Sequence, residues 1–131
     1  MKIGFIGLGN VGGKLAGSLL RNGFDLTVRD LNQEIASPFL DNGAKWGESP
    51  KKIAETVELI ITCLPNPAAS ATVMEADDGV LAGISHGKVW AEMSTTDEEE
   101  VKRLGKMVHE LGGEALDCPV SGGCHRAATG N

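Results

Sequence analysis

Positive charge is scarce and nowhere concentrated: 12 Lys and Arg stand against 18 Asp and Glu, a net charge of −6. No window gathers the basic footprint that a phosphate backbone requires, which excludes nucleic acid as an expected partner. Long apolar runs are also missing. None approaches the roughly 18 to 20 residues of a membrane span, and an apolar strand starting at Lys2 leaves no room for a signal or transit peptide. Cysteine is sparse and odd in number, with Cys63, Cys118 and Cys124. A disulfide framework is therefore not expected, and reduced thiols in a cytoplasmic protein are. Aromatics are few, whereas 18 glycines point to a globular domain rich in tight turns. At 131 residues the chain has room for one core and is small for a two-domain enzyme, so residues 1–131 read as a single domain.

Short apolar runs alternate with segments of helical period, the pattern of βαβ units on a parallel sheet. Six strands are expected, at 2–7, 24–30, 44–46, 57–65, 87–94 and 114–120. In the second, Phe24, Leu26 and Val28 alternate onto one side; the fourth, "VELIITCLP", is almost continuously apolar, as in a strand covered on both faces, and holds Cys63 in its interior. Between them, a helix over 10–21 carries Val11, Leu15 and Leu19 on one face and stops at Asn22 and Gly23; others follow at 32–42, 49–55 and 67–75. Ser49 and Pro50 supply an N-cap and a first helical residue. Thr96 and Glu99 fit a capping box for a last helix, whose stripe is Val101, Leu104, Val108 and Leu111. The expected fold is α/β: a Rossmann-type, doubly wound, mostly parallel six-stranded sheet with helices on both faces.

The glycines of "GFIGLGNVGG" space Gly7, Gly9 and Gly12 as GxGxxG directly between a strand and a helix, the context that marks a dinucleotide fingerprint. Gly7 allows the tight turn, Gly9 the approach of a pyrophosphate to the backbone, and Gly12 close packing of helix on strand. Amides at about 9–11 would face the phosphates. Asp30 follows Gly12 at the end of the second strand, where a carboxylate accepts hydrogen bonds from a ribose 2′-OH and repels a 2′-phosphate. That choice favours NAD over NADP; Arg29 could tolerate a 2′-phosphate, but strand alternation turns it away from Asp30.

"GFIGLGNVG", "ITCLPNPAA", "EMSTT" and "DCPVSGG" stand in the order and spacing of the β-hydroxyacid dehydrogenases, and the chain resembles that family over nearly its whole length. The family includes 3-hydroxyisobutyrate dehydrogenase, tartronate semialdehyde reductase and 6-phosphogluconate dehydrogenase. The resemblance implies that Gly7, Leu8, Gly9, Asn10, Val11 and Gly12 wrap the pyrophosphate of NAD. It places Asp30 and Leu31 beside the adenosine ribose, Leu64 and Pro65 under the cofactor, and Thr95 near the nicotinamide. Ser121, Gly122 and Gly123 match a pocket for the substrate carboxylate, and a hydroxyl with consecutive amides can cradle an anion. Two positions depart from the pattern. Glu98 replaces a usual proline and Cys118 a commoner alanine.

The resemblance assigns proton transfer to a lysine in a "GxxGxGxxxK" motif on a helix beyond the first domain, so no catalytic residue is expected within 1–131. Lys14, Lys51, Lys52, Lys88, Lys102 and Lys106 read as solvated charges. His86, His109 and His125 have neither triad nor metal spacing. The expected full-length enzyme is a homo-oligomeric oxidoreductase that moves hydride between NAD and a small 2- or 3-hydroxyacid or its semialdehyde. A dinucleotide-binding sensor module without chemistry is a second reading. An S-adenosylmethionine methyltransferase is a third, weakened because it leaves "PVSGG" unexplained.

Overall fold

The computed structural model describes residues 1–93 and 98–117. The readings at Thr95, Thr96, Cys118, Ser121, Gly122, Gly123, Cys124 and His125 lie outside the described residues. Elements run β1 (Lys2–Ile6), α1 (Asn10–Arg21), β2 (Asp25–Arg29), α2 (Gln33–Asp41), β3 (Lys45–Trp46), α3 (Pro50–Thr56), β4 (Leu59–Thr62), α4 (Pro67–Glu75), α5 (Val80–Gly83), β5 (Val89–Glu92), α6 (Glu98–Glu110) and β6 (Glu114–Asp117). The six strands form one sheet in the order β3-β2-β1-β4-β5-β6, and every pairing is parallel. "Mostly parallel" is thereby tightened to all parallel.

Period-2 alternation on the central strands splits the core in two. Ile3 and Phe5 of β1, Leu26 and Val28 of β2 and Ile61 of β4 pack against Ala16 of α1 and Ala36 of α2. On the other face Ile6, Ile60 and Trp90 meet Ile53 of α3, Met74 of α4, Val80 of α5 and Leu104 and Val108 of α6. Trp90 is fully buried, and its indole N–H donates to Thr62 Oγ1 at 2.9 Å, so the largest core side chain leaves no polar atom unmatched. Gly4 lets α3 sit directly on β1, because a Cβ there would collide with the Ile53 side chain.

Several expectations need correction. Phe24 precedes β2 and is 40% exposed, so only Leu26 and Val28 face the core. Leu111 lies past the end of α6 and is 46% exposed; the buried stripe ends at Val108. Of the α1 stripe, Leu15 and Leu19 pack partly buried against the core as expected, while the fully buried α1 residues are Gly12, Ala16 and Ser18. Small residues bring helix and sheet together there. The fourth strand, Leu59–Thr62, is shorter than its apolar run; Cys63 still donates its N–H to the Ile6 carbonyl of β1 at 3.0 Å but is only half-buried. The last strand is described over Glu114–Asp117, its expected continuation at 118–120 lying outside the described residues, and the four-residue α5 carries too short a pattern to be seen in the sequence.

Lys88 is not a solvated charge. Its ammonium donates to the carbonyls of Ala54 (2.5 Å) and Val57 (2.8 Å), filling acceptors at the C-terminal end of α3, and its partial burial lowers its pKa. Arg103 of α6 makes bidentate pairs with Glu75 of α4 (2.6 and 2.8 Å) and with Glu100 (2.7 and 2.9 Å). Hydrogen bonds from Arg103 hold both carboxyls below their usual value of 4.5. A depressed carboxyl pKa contributes stability that is fully present above the unfolded value and lost as pH falls through the folded one. The melting difference between the wild type and Arg103→Met is accordingly expected to be largest near neutral pH and to vanish below the carboxylate range. Melts recorded from pH 7 to pH 3 check this.

Candidate dinucleotide-binding cleft

The chain reverses direction across the sheet between β1 and β4: β1 leads through α1 to β2 on one side, and β3 returns through α3 to β4 on the other. Open α/β sheets bind ligands outside the carboxyl ends of their strands at such a switch point. Here it holds a cleft of about 880 Å³. Ile6, Arg29 with Asp30, Cys63 and Met93 line it from the ends of β1, β2, β4 and β5.

The turn after β1 explains all three fingerprint glycines in different ways. Gly7 has φ +102°, and its N–H donates to the Arg29 carbonyl at 2.9 Å; a side chain there would also strike the Cys63 backbone. Gly12 faces inward, where a Cβ would run into the Gly7 carbonyl. Gly9 faces outward, and a Cβ there would meet nothing within 4 Å. The fold therefore requires small residues at Gly7 and Gly12 and places no such demand at Gly9. Yet Gly9 lines the cleft with Asn10, Val11 and Gly12.

The start of α1 is also left open. Side chains cap α2 (Asn32 Oδ1 from Glu34 N–H, 3.1 Å), α3 (Ser49 Oγ from Lys52 N–H, 3.1 Å) and α4 (Asn66 Oδ1 from Ala69 N–H, 2.8 Å). Gly9 caps α1 with no side chain. First-turn amides without an intrahelical partner thus reach the cleft with the positive end of the helix dipole. A dinucleotide fits this donor set, since a pyrophosphate needs backbone donors and bare space beside them.

Asp30 sits just beyond β2. Its Oδ2 accepts from the Leu8 N–H at 2.8 Å and its Oδ1 from the Asn32 N–H at 3.0 Å, which fixes the carboxylate against the glycine turn. Both a turn role and a cleft position are therefore realised in one residue. Leu8 acts through that amide, while its side chain is buried in the core. Leu31, fully exposed, and Leu64 and Pro65 line the cleft. Cys63 also lines it instead of lying inside a strand, and burial followed by the nearby Glu92 carboxylate pushes its thiol pKa up. That protonated thiol is a poor nucleophile.

Sequence reasoning missed the wall built by α4. Ser70 and Met74 face the core, Ser70 donating to the buried Glu92 carboxylate at 3.1 Å, while Ala69, Val73 and Ala76 line the cleft. The spacing i, i+4, i+7 of that second stripe was the available signal. Ile35 and Asp78 also line the cleft. Among the described residues no group of three His, Cys, Asp or Glu could hold a metal ion, and no helix is long and apolar enough to cross a membrane.

Residues 2–131 match the family model described as the NAD binding domain of 6-phosphogluconate dehydrogenase. The chain belongs to this family. It is 36% identical over 129 residues to rat mitochondrial 3-hydroxyisobutyrate dehydrogenase, covering 98% of this chain and 38% of that protein. It is also 36% identical over 121 residues to the human cytokine-like nuclear factor N-PAC, covering 92% of this chain and 22% of that protein. The solved structure of Psf3 in complex with NADP+ and 2-OPP superimposes with a TM-score of 0.93 at 28% identity, over 98% of this chain and 45% of Psf3. The chain thus spans less than half the length of these relatives. It is an NAD(P)-binding domain of the β-hydroxyacid dehydrogenase type. The names of the two relatives, one mitochondrial and one nuclear, give no support to a cytoplasmic assignment.

Proposed function

We propose that this chain binds NAD, in preference to NADP, as the nucleotide-binding part of an oxidoreductase acting on a small 2- or 3-hydroxyacid or its semialdehyde. The open Gly9 at the uncapped start of α1 carries the reading, because the fold makes no use of that bare space and an anionic pyrophosphate would. Asp30 supports NAD over NADP: its fixed carboxylate can accept from ribose hydroxyls and would repel a 2′-phosphate. Leu31, whose side chain has no cover, and Ile35, 39% exposed, offer apolar surface to an adenine ring at the cleft rim. A bound nicotinamide would supply the hydride chemistry.

Proton transfer finds no lysine in the cleft lining among the described residues. Lys88 precedes β5, at the amino end of the sheet and away from the cleft, and Lys102 pairs with Glu98. Thr95 and the Ser121, Gly122 and Gly123 pocket are proposed as the nicotinamide-side and carboxylate contacts on the family resemblance. On the same footing the complete enzyme is a homo-oligomer and its proton-transfer lysine lies outside this chain, while the net charge of −6 with no basic cluster argues against a nucleic-acid partner. The match to N-PAC, named as a nuclear factor and not as an enzyme, favours a second reading in which the domain binds the dinucleotide without turnover.

Fluorescence titration of the chain with NADH, NADPH and S-adenosylmethionine tests the ligand. NADH is expected to bind the tightest, and binding of S-adenosylmethionine alone would overturn the reading. Asp30→Ala is expected to weaken NADH by about tenfold, roughly 1.4 kcal/mol, and to narrow the gap to NADPH. An unchanged NADH/NADPH ratio would remove Asp30 from the ribose. Turnover of short hydroxyacids by a longer chain carrying the lysine separates the enzyme from the binding module.

A further inference from the structure

Beside Asp30 the cleft lining holds a cation whose position is decided elsewhere. Arg29 is the last residue of β2, and its Nη1 donates to the carbonyls of both Gly47 (2.8 Å) and Glu48 (2.7 Å) in the turn after β3. Its guanidinium carbon lies 5.4 Å from the centroid of the Trp46 ring. Three restraints from one segment thus hold the charge toward β3. A planar guanidinium gripped on one edge by two carbonyls and on one face by an indole cannot swing freely to a new anion. Trp46 itself does not line the cleft.

The restraint depends on a small element. β3 has only two residues, Lys45 and Trp46, paired with Thr27 and Val28, and Gly47 N–H continues that pairing to the Val28 carbonyl at 2.9 Å. The half-buried Trp46 ring is the part of β3 that packs into the core beneath it. Removing it takes away the stacking face and loosens the turn that presents the two carbonyls.

We propose that Trp46 is a specificity-determining positioning residue: by clamping Arg29 onto the β3 turn it withholds a cation that would otherwise serve the 2′-phosphate of NADP. The proposal rests on the dinucleotide reading above and adds a second layer to its NAD preference. Asp30 repels the 2′-phosphate, and the Trp46 clamp denies it a counter-charge. Replacing the carboxylate alone would then leave the domain a poor NADP binder.

The test uses the full chain with NADH and NADPH as probes. In an Asp30→Asn background, Trp46→Leu is expected to raise NADPH affinity at least fivefold relative to NADH. Adding Arg29→Met should abolish that gain, and Trp46→Phe, which keeps an aromatic face, should show little of it. A second variant tests the point without touching Trp46. With the clamp intact, Arg29→Met in the Asp30→Asn background should leave the NADPH/NADH ratio unchanged, whereas a tenfold fall in the ratio would show Arg29 already on the phosphate and overturn the proposal. A Trp46→Leu gain that is absent, or that survives Arg29→Met, overturns it as well. If the wild-type chain binds neither nucleotide, the dinucleotide reading itself falls, an outcome distinct from these.

Discussion

Gly9→Val is expected to abolish nucleotide binding while leaving the fold intact. Gly9 has φ −69° and ψ −161°, ordinary extended backbone that any residue adopts, and an added Cβ meets no protein atom within 4 Å. Surface substitutions of that kind alter stability by no more than about 0.5 kcal/mol. The isopropyl group would instead fill the space beside the first-turn amides of α1. A pyrophosphate could then not reach its donors, and NADH affinity should fall about 100-fold, roughly 2.8 kcal/mol. Calorimetric titration beside a thermal melt measures both quantities on one sample. Unaltered NADH binding in a folded Gly9→Val protein would remove the phosphate from α1.

Gly12→Val, three residues on, should do the opposite: lose the fold first. A Cβ at Gly12 points at the Gly7 carbonyl oxygen, a backbone atom with no rotamer to escape into. The Gly7 turn cannot give way, since its positive φ, its bond to Arg29 and its contact with the Cys63 backbone fix it from three sides. Overpacking against movable side chains already costs about 1–3 kcal/mol, and against backbone the cost lies at the upper end or beyond. Domains of this kind are stable by about 5–15 kcal/mol in total. A marked fall in the denaturant midpoint is expected, and a native midpoint would mean that α1 can shift away from β1. The pair of variants separates the two meanings of glycine in GxGxxG, ligand space at Gly9 and helix packing at Gly12.

The contrast between these glycines also shows what could be read without coordinates. Element order was legible because each strand and helix announces itself locally. Asn22 and Gly23 end α1, Ser49 and Pro50 begin α3, and apolar β-branched runs mark β1 and β4. Errors gathered at element ends. Phe24 and Leu111 continue an apolar period yet fall just outside β2 and α6, where no opposing layer remains to cover them. Lys88 misled for a related reason. A lysine between a turn and a strand reads as solvated, and only the arrival of the α3 C-terminal carbonyls from more than 30 residues away gives its ammonium two acceptors.

Within the cleft the same division holds. The glycine spacing and the Asp30 carboxylate belong to one βαβ unit, so their distances in sequence carry their geometry. The α4 wall has only a second helical stripe as its signal, with nothing local to say what it faces, and the Arg29 clamp belongs to no local pattern. Ala69, Val73 and Ala76 line the cleft because the neighbouring stripe of Ser70 and Met74 is taken by the core. Alternation along β2 turns Arg29 away from Asp30, but it does not say that Trp46 and two carbonyls wait on that side.

By itself, then, the sequence determined the parallel α/β order, the place of the nucleotide turn and the family. The first two follow from hydrophobic period, caps and glycine spacing, set by neighbours within about 30 residues, and the family from its resemblance in four motifs spread along the chain. Only the tertiary structure decided which side of α4 lines the cleft, where the charge of Arg29 is held, and which lysine is taken up by backbone carbonyls. Each of those depends on what the rest of the chain brings against the residue, and steric contact, desolvation and hydrogen-bond partnership are fixed only once the layers have packed.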